Sequence, residues 1–209
     1  MTRPRAIGGA AKRGLDVGVA AVGLILTAPV QMVVAGLVAR KLGRPVFFVQ
    51  PRPGRGGVVF DLVKFRTMLP VDAARGLLTD EDRMTRFGAL LRSTSLDELP
   101  TLWNVLRGDM SLVGPRPLLV RYLDRYSPRQ ARRHDVRPGM TGLAQVSGRN
   151  AISWEDKLEL DVRYVETRSF LGDLLILVST ALKVVRREGV TAEGSVTTAE
   201  FLGSERSAT

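Results

Sequence analysis

The chain has 209 residues, 44% of them hydrophobic, which is enough for a packed domain plus a further segment and excludes general disorder. Its 31 basic and 21 acidic residues leave a net charge of +10, which calls for an anionic partner such as nucleic acid, anionic lipid or nucleotide phosphate. With no cysteine and one histidine, a disulfide scaffold, a thiolate zinc site and a cysteine nucleophile are excluded, so acid–base chemistry falls to carboxylates.

From Val17 to Val38 the sequence reads VGVAAVGLILTAPVQMVVAGLV, with Thr27 and Gln31 its only polar side chains. As a helix this run would reach roughly 33 Å, about the hydrocarbon thickness of a bilayer. It is longer than the apolar region of a cleaved signal, about 7–15 residues. Pro29, near its middle, removes a helical hydrogen bond. Basic residues flank both ends: Arg3, Arg5, Lys12 and Arg13 before, Arg40, Lys41 and Arg44 after. A spanning helix would carry one cluster across the membrane, whereas a re-entrant hairpin bent at Pro29 keeps both on the cytoplasmic side. The re-entrant reading is adopted, with Asp16 expected to pair with Arg13. Residues 1–44 then form the membrane-inserted segment and residues 45–209 the catalytic body.

Val46–Val49 and Val58–Phe65 are β-rich runs on either side of PRPGRGG, predicting a hairpin. Helical spacing of Met84, Phe87, Leu90 and Leu91 predicts one helix over Leu78–Arg92, capped at Thr79 or Asp80. A second is predicted from Leu96 to Arg107, ending at Gly108, followed by a loop over Ser111–Pro117. Tyr122–Arg133 reads as a short basic helix that leaves His134 on the solvated surface. Arg137–Asn150 reads as glycine-rich loop or short strand. Helices over Trp154–Thr167 and Leu171–Arg187 follow, the latter with a wide apolar face. Residues 190–209 look disordered by composition. The expected fold class is α+β, mainly helical, with amphipathic interfacial helices and a small β-hairpin or sheet.

The stretch from Arg92 to Pro117, RSTSLDELPTLWNVLRGDMSLVGPRP, concentrates the chemistry. Ser95–Glu98 fits a capping box, which would make Glu98 structural. The other reading gives the adjacent carboxylates different jobs: Asp97 as a nucleophile toward phosphorus, and Glu98 orienting an acceptor phosphate or handling its proton. Phosphoryl transfer also needs positive charge for the phosphates and a metal to offset developing charge. Lys64, Arg66, Arg92 and Arg116 are candidates for the first, and Mg²⁺ held by Asp97 for the second. Proline on both sides stiffens the backbone at Arg116, whose planar fork suits phosphate.

The blocks KRGLDV (Lys12–Val17), KFRTM (Lys64–Met68), the Leu91–Pro117 stretch, RPGMTGLAQVSGRN (Arg137–Asn150) and LDVRYVE (Leu160–Glu166) occur in order over nearly the whole chain. In these the sequence resembles the bacterial sugar transferases, monotopic polyprenol-phosphate phosphoglycosyl transferases. The resemblance implies a re-entrant membrane helix on the cytoplasmic face of the bacterial inner membrane, and a ping-pong mechanism. Asp97 would attack the β-phosphate of a UDP-sugar, expel UMP and become a phosphosugar-aspartyl intermediate. Glu98 would then assist polyprenol (undecaprenyl) phosphate, with Asp97 also contacting Mg²⁺. Gln145 and Arg149, in the glycine-rich block, join the implied substrate- and phosphate-binding set. The ending EGVTAEGSVTTAEFLG (Glu188–Gly203) is similar to short, bacillosamine-type members that use UDP-linked N-acetylated amino sugars, with UDP-glucose or UDP-galactose as the alternative donor. It implies that Val196–Phe201 packs on the body. Ala28 stands before Pro29 where several relatives carry serine. Anionic lipids are further expected partners, a homo-oligomer is possible, and nucleic acid is not expected. A non-catalytic basic protein on a membrane surface and a nucleotide-sugar hydrolase are the competing readings.

Overall fold

The computed structural model describes residues 9–148, 152–186 and 200–203. Helix α1, Gly9–Lys41, runs through Pro29 and is long and apolar enough to cross a membrane. The two polar side chains of its apolar run, Thr27 and Gln31, are hydrogen-bonded beside the proline. The Thr27 hydroxyl donates to the Gly23 carbonyl at 2.6 Å, and the Gln31 amide donates to Thr27 Oγ1 at 2.9 Å. Both halves of α1 dock on the body. Ala20 joins the cluster of Leu102 and Val105, whereas Val34 and Val38 join that of Phe65 and Leu91. The expected Asp16–Arg13 pair does not form. Arg13 instead caps the helix that ends at Arg107, donating to the Val105 and Leu106 carbonyls at 2.7 and 2.9 Å, where a cation meets the negative helix end. Asp16 is buried and accepts the Leu112 N–H at 3.1 Å.

Strands β1, Phe47–Pro53, and β2, Val59–Phe65, form the predicted antiparallel hairpin, in register from Phe47↔Phe65 to Pro53↔Val59. The outer edge of β2 is occupied by side chains of α4, Thr101–Arg107. Asn104, fully buried, accepts the Val63 N–H at 3.0 Å and donates to the Asp61 carbonyl at 2.7 Å, while the Thr101 hydroxyl donates to the Val63 carbonyl at 2.9 Å. These contacts replace a missing strand and fix α4 against β2.

Three predicted elements divide differently. The single helix expected over Leu78–Arg92 is two, α2 (Asp80–Arg83) and α3 (Arg86–Ser93). Met84 leaves the helix to bridge Met68, and Thr85 caps a new start by accepting the Gly88 N–H. The helix expected from Leu96 begins as a 3₁₀ turn, Leu96–Glu98, and α4 starts only after Pro100, whose ring would clash inside a continuous helix. The basic helix expected over Tyr122–Arg133 breaks at Pro128 into 3₁₀ turns around the short α5, Pro128–Ala131.

The expected Ser111–Pro117 loop contains β3, Ser111–Val113, which pairs in parallel with β4, Gly139–Thr141. Glycine is obligatory at this junction: a Cβ on Gly139 would lie 2.1 Å from the Gly114 nitrogen. After α6, Leu143–Ser147, helix α7 spans Trp154–Thr167 as predicted, and α8 spans Phe170–Arg186. The α8 face of Leu171, Leu174, Leu175, Val178 and Leu182 is exposed, and Asp173 and Ile176 pack inward. Phe201 is fully buried against the rings of Tyr122, Tyr126 and Trp154. The expected docking of the tail thus holds at Phe201, and residues 196–199 lie outside the described residues.

Candidate active site

Leu62 and Lys64, two apart on β2, share a face, so the core contact of Leu62 sends Lys64 toward the start of α4. The α4–β2 contacts place Glu98, a few residues before α4, within reach. Glu98 Oε1 accepts from Lys64 Nζ at 2.5 Å and from Arg116 Nη2 at 2.9 Å. Arg116 follows β3 between two prolines, and its carbonyl accepts from Arg133 Nη2 at 2.7 Å. Arg133 is itself buried and paired with Asp161 at 2.6 Å. The capping-box reading of Glu98 therefore fails: its carboxylate is turned to two cations, and the Ser95 side chain makes no capping bond. Ser95 instead sits in the left-handed region at φ 56°, a strained position for a residue with a Cβ, immediately before the two carboxylates.

A family profile described as bacterial sugar transferase matches residues 7–187. The chain belongs to the bacterial sugar transferase family. Similar relatives include the uncharacterized sugar transferase EpsL of Bacillus subtilis, 52% identical over 194 residues, covering 92% of this chain and 96% of that one. The exopolysaccharide production protein ExoY of Rhizobium meliloti is 39% identical over 203 residues, covering 88% and 90%. The UDP-glucose:undecaprenyl-phosphate glucose-1-phosphate transferase of Caulobacter vibrioides is 42% identical over 184 residues, covering 81% and 67%.

In this sugar transferase the two adjacent carboxylates have opposite electrostatics. Burial pushes the Glu98 carboxyl up, but Lys64 and Arg116, through charge and hydrogen bonds, outweigh it and hold the group well below the usual carboxylate range. Burial, and then the negative charge of Glu98, raise Asp97 to about 6, against the opposing pull of Lys64, Arg116 and Arg92. Among the described residues Asp97 makes no hydrogen bond or ion pair and is 8% exposed. Divergence of this kind between neighbouring carboxylates is a common feature of functional sites.

Of the remaining residues picked from sequence, Arg92 lies close enough to sense Asp97 and donates through Nε to Thr67 Oγ1 at 3.1 Å. Arg66 does not join the cluster. The strand ends at Phe65, and Arg66 turns to the end of α1, donating to the Leu42 carbonyl at 2.8 Å. Gln145 sits on α6 beside Gly142, with both carboxamide atoms buried and unpartnered among the described residues. Arg149 lies outside the described residues. His134, expected in solvent, is half-buried against the Gly54 carbonyl. Burial and the Arg133 charge lower it to about 4, so it is neutral at physiological pH.

Sequence reading missed Arg52. The run PRPGRGG looked like turn throughout, whereas β1 continues to Pro53 and puts Arg52 in the wall of a cavity of about 80 Å³ shared with Lys64, Glu98, Thr101 and Arg116. Gln50, two residues earlier, carries the available signal, since alternation along an extended strand places both on one face.

Proposed function

We propose that this sugar transferase moves a phosphosugar from a UDP-sugar to undecaprenyl phosphate, releasing UMP through a covalent phosphosugar–Asp97 intermediate. The observation that carries it is Asp97 itself, a buried carboxylate without a bonded partner among the described residues, next to a Lys64–Glu98–Arg116 cluster able to hold phosphate. In the first step an Asp97 carboxylate oxygen bonds to the β-phosphorus while the bond to the bridging oxygen breaks, and UMP departs with that electron pair. In the second, an oxygen of the lipid phosphate attacks the same phosphorus and Asp97 leaves. The lipid phosphate is largely ionised near neutral pH, with a second pKa of about 6, so no strong base is needed. Glu98, firmly ionised, is a poor proton acceptor and serves to orient Lys64 and Arg116 on the phosphates.

Mg²⁺ fits this site through Asp97. Among the described residues no cluster of three acidic or histidine side chains gathers, and Mg²⁺ commonly takes one or two carboxylates plus substrate phosphate oxygens and water. When bound it neutralises charge on the diphosphate. Incubation of pure protein with UDP-sugar and Mg²⁺ tests the reading: UMP should accumulate with sustained turnover only when polyprenol phosphate is added. Sustained turnover without it would mark a hydrolase, and no UMP at all a binding protein.

The donor is proposed to be a UDP-linked N-acetylated amino sugar, on the resemblance of the Glu188–Gly203 ending to enzymes of that type. A hexose donor is the second reading, favoured by the Caulobacter relative named for UDP-glucose. Nucleotide release across a panel of UDP-sugars decides between them.

Association with the cytoplasmic face of the inner membrane is proposed from the apolar α1 together with the exposed apolar face of α8 and the exposed Phe47 and Phe48 of the hairpin. A re-entrant course of α1 bent at Pro29 keeps its basic flanks on one side. The chain lacks cysteine, so single cysteines at Gly9 and Arg44 report topology in intact cells. Labelling of either by an impermeant thiol reagent from outside would rule out the re-entrant course.

A further inference from the structure

The wall of the cavity beside Glu98 carries a third cation, Arg52, that the reaction as described leaves unused. Antiparallel register sets Gln50 opposite Leu62 and Arg52 opposite Phe60, on the strand face that also carries Lys64. The Arg52 guanidinium donates from Nη2 to Gln50 Oε1 at 2.6 Å and from Nη1 to the Pro117 carbonyl at 3.3 Å, both uncharged acceptors. Its Nε is buried without a partner among the described residues. Burial, and next the like charge of Arg116, pull it down to about 10. A buried arginine ordinarily finds a carboxylate, as Arg133 finds Asp161. Half-buried Arg52 has none among the described residues, and of the charged groups lining the cavity three are cations, Arg52, Lys64 and Arg116, against the single carboxylate of Glu98. The cavity, about 80 Å³, is large enough to admit a phosphate group.

We propose that Arg52, with Arg116 and Lys64, forms a phosphate-binding subsite in this cavity, its planar fork gripping a phosphate dianion while Gln50 and Pro117 fix its orientation. The subsite stands on the local charge and geometry; only the source of the phosphate, donor diphosphate or lipid acceptor, rests on the phosphosugar-transfer reading. The direct test is calorimetric titration of the full chain and of Arg52→Gln and Arg52→Lys with inorganic pyrophosphate, alongside their thermal midpoints. Arg52→Gln should bind at least about tenfold more weakly. Arg52→Lys, which keeps the charge but not the fork, should fall between the two and guards against a folding artefact. Equal affinity in all three proteins overturns the subsite. Turnover then assigns the source. A raised UDP-sugar KM and slower UMP release without lipid place the donor there, and an unaltered donor step with a raised polyprenol-phosphate KM places the acceptor there. If the parent transfers no phosphosugar but the pyrophosphate difference persists, the reaction reading falls and the subsite remains.

Discussion

Lys64 Nζ lies 2.5 Å from Glu98 Oε1, and this contact helps to give two neighbouring carboxylates opposite shifts in acidity. With Arg116 it keeps Glu98 charged; the charge on Glu98, added to burial, then raises Asp97. Asp97 and Glu98 are therefore coupled through one oxygen atom and the two cations on it.

That coupling predicts a pH signature. In the proposed reaction Asp97 attacks as the carboxylate, so kcat/KM for the donor should fall as pH drops through about 6. Glu98→Gln removes the repelling charge and frees Lys64 and Arg116 to act on Asp97, so the acid limb should move to lower pH. Turnover should nevertheless drop by about 100-fold or more, because the phosphate-orienting cluster is lost. An unmoved limb would separate the two residues electrostatically.

Asp97 should also cost stability. A carboxyl raised from 3.8 to about 6 binds its proton more tightly folded than unfolded, so the penalty is complete above about pH 6 and fades as pH falls toward 3.8. The upper bound is about 3 kcal/mol. Asp97→Asn is expected to be inactive yet more stable by about 1–3 kcal/mol in denaturant titration at pH 8, with the gain shrinking at pH 5.

Ser95 tests the local backbone. Its side chain makes no capping bond, so Ser95→Ala should cost well under the ~1 kcal/mol typical of a lost cap. At φ 56° glycine is unstrained, and Ser95→Gly should stabilise by about 0.5–1 kcal/mol, read as a raised Tm. A cost of about 1 kcal/mol for alanine would restore the capping reading.

The buried pair behind Arg116 is a further test. Arg133→Met leaves Asp161 buried and unpaired and releases the Arg116 carbonyl, so it should cost about 3–5 kcal/mol in equilibrium unfolding. Combining it with Asp161→Leu should recover much of that loss.

Local chemistry made the hairpin, α7 and the end of α4 at Gly108 legible, since alternation, helical period and a left-handed glycine are written in neighbouring residues. Asp97, Glu98, Lys64 and Arg116 were legible as residue types, but their meeting depends on Asn104 and Thr101 acting as a strand edge, a contact between residues some 40 apart that no local pattern encodes. The helix breaks at Met84 and Pro100 were obscured because apolar spacing continued across them. Arg52 was hidden by a proline- and glycine-rich run that belongs half to a strand. Arg66 misled because chemical likeness to Lys64 says nothing about where the strand stops.

Trapping full-length protein with UDP-sugar and Mg²⁺ in the absence of lipid, followed by intact-mass and peptide mass spectrometry, tests the central step most directly. The predicted result is the added mass of one phosphosugar on the peptide containing Asp97, cleared by polyprenol phosphate and missing in Asp97→Asn. Active protein that never gains this mass, with an Asp97→Ala variant turning over as fast as the parent, would contradict the account.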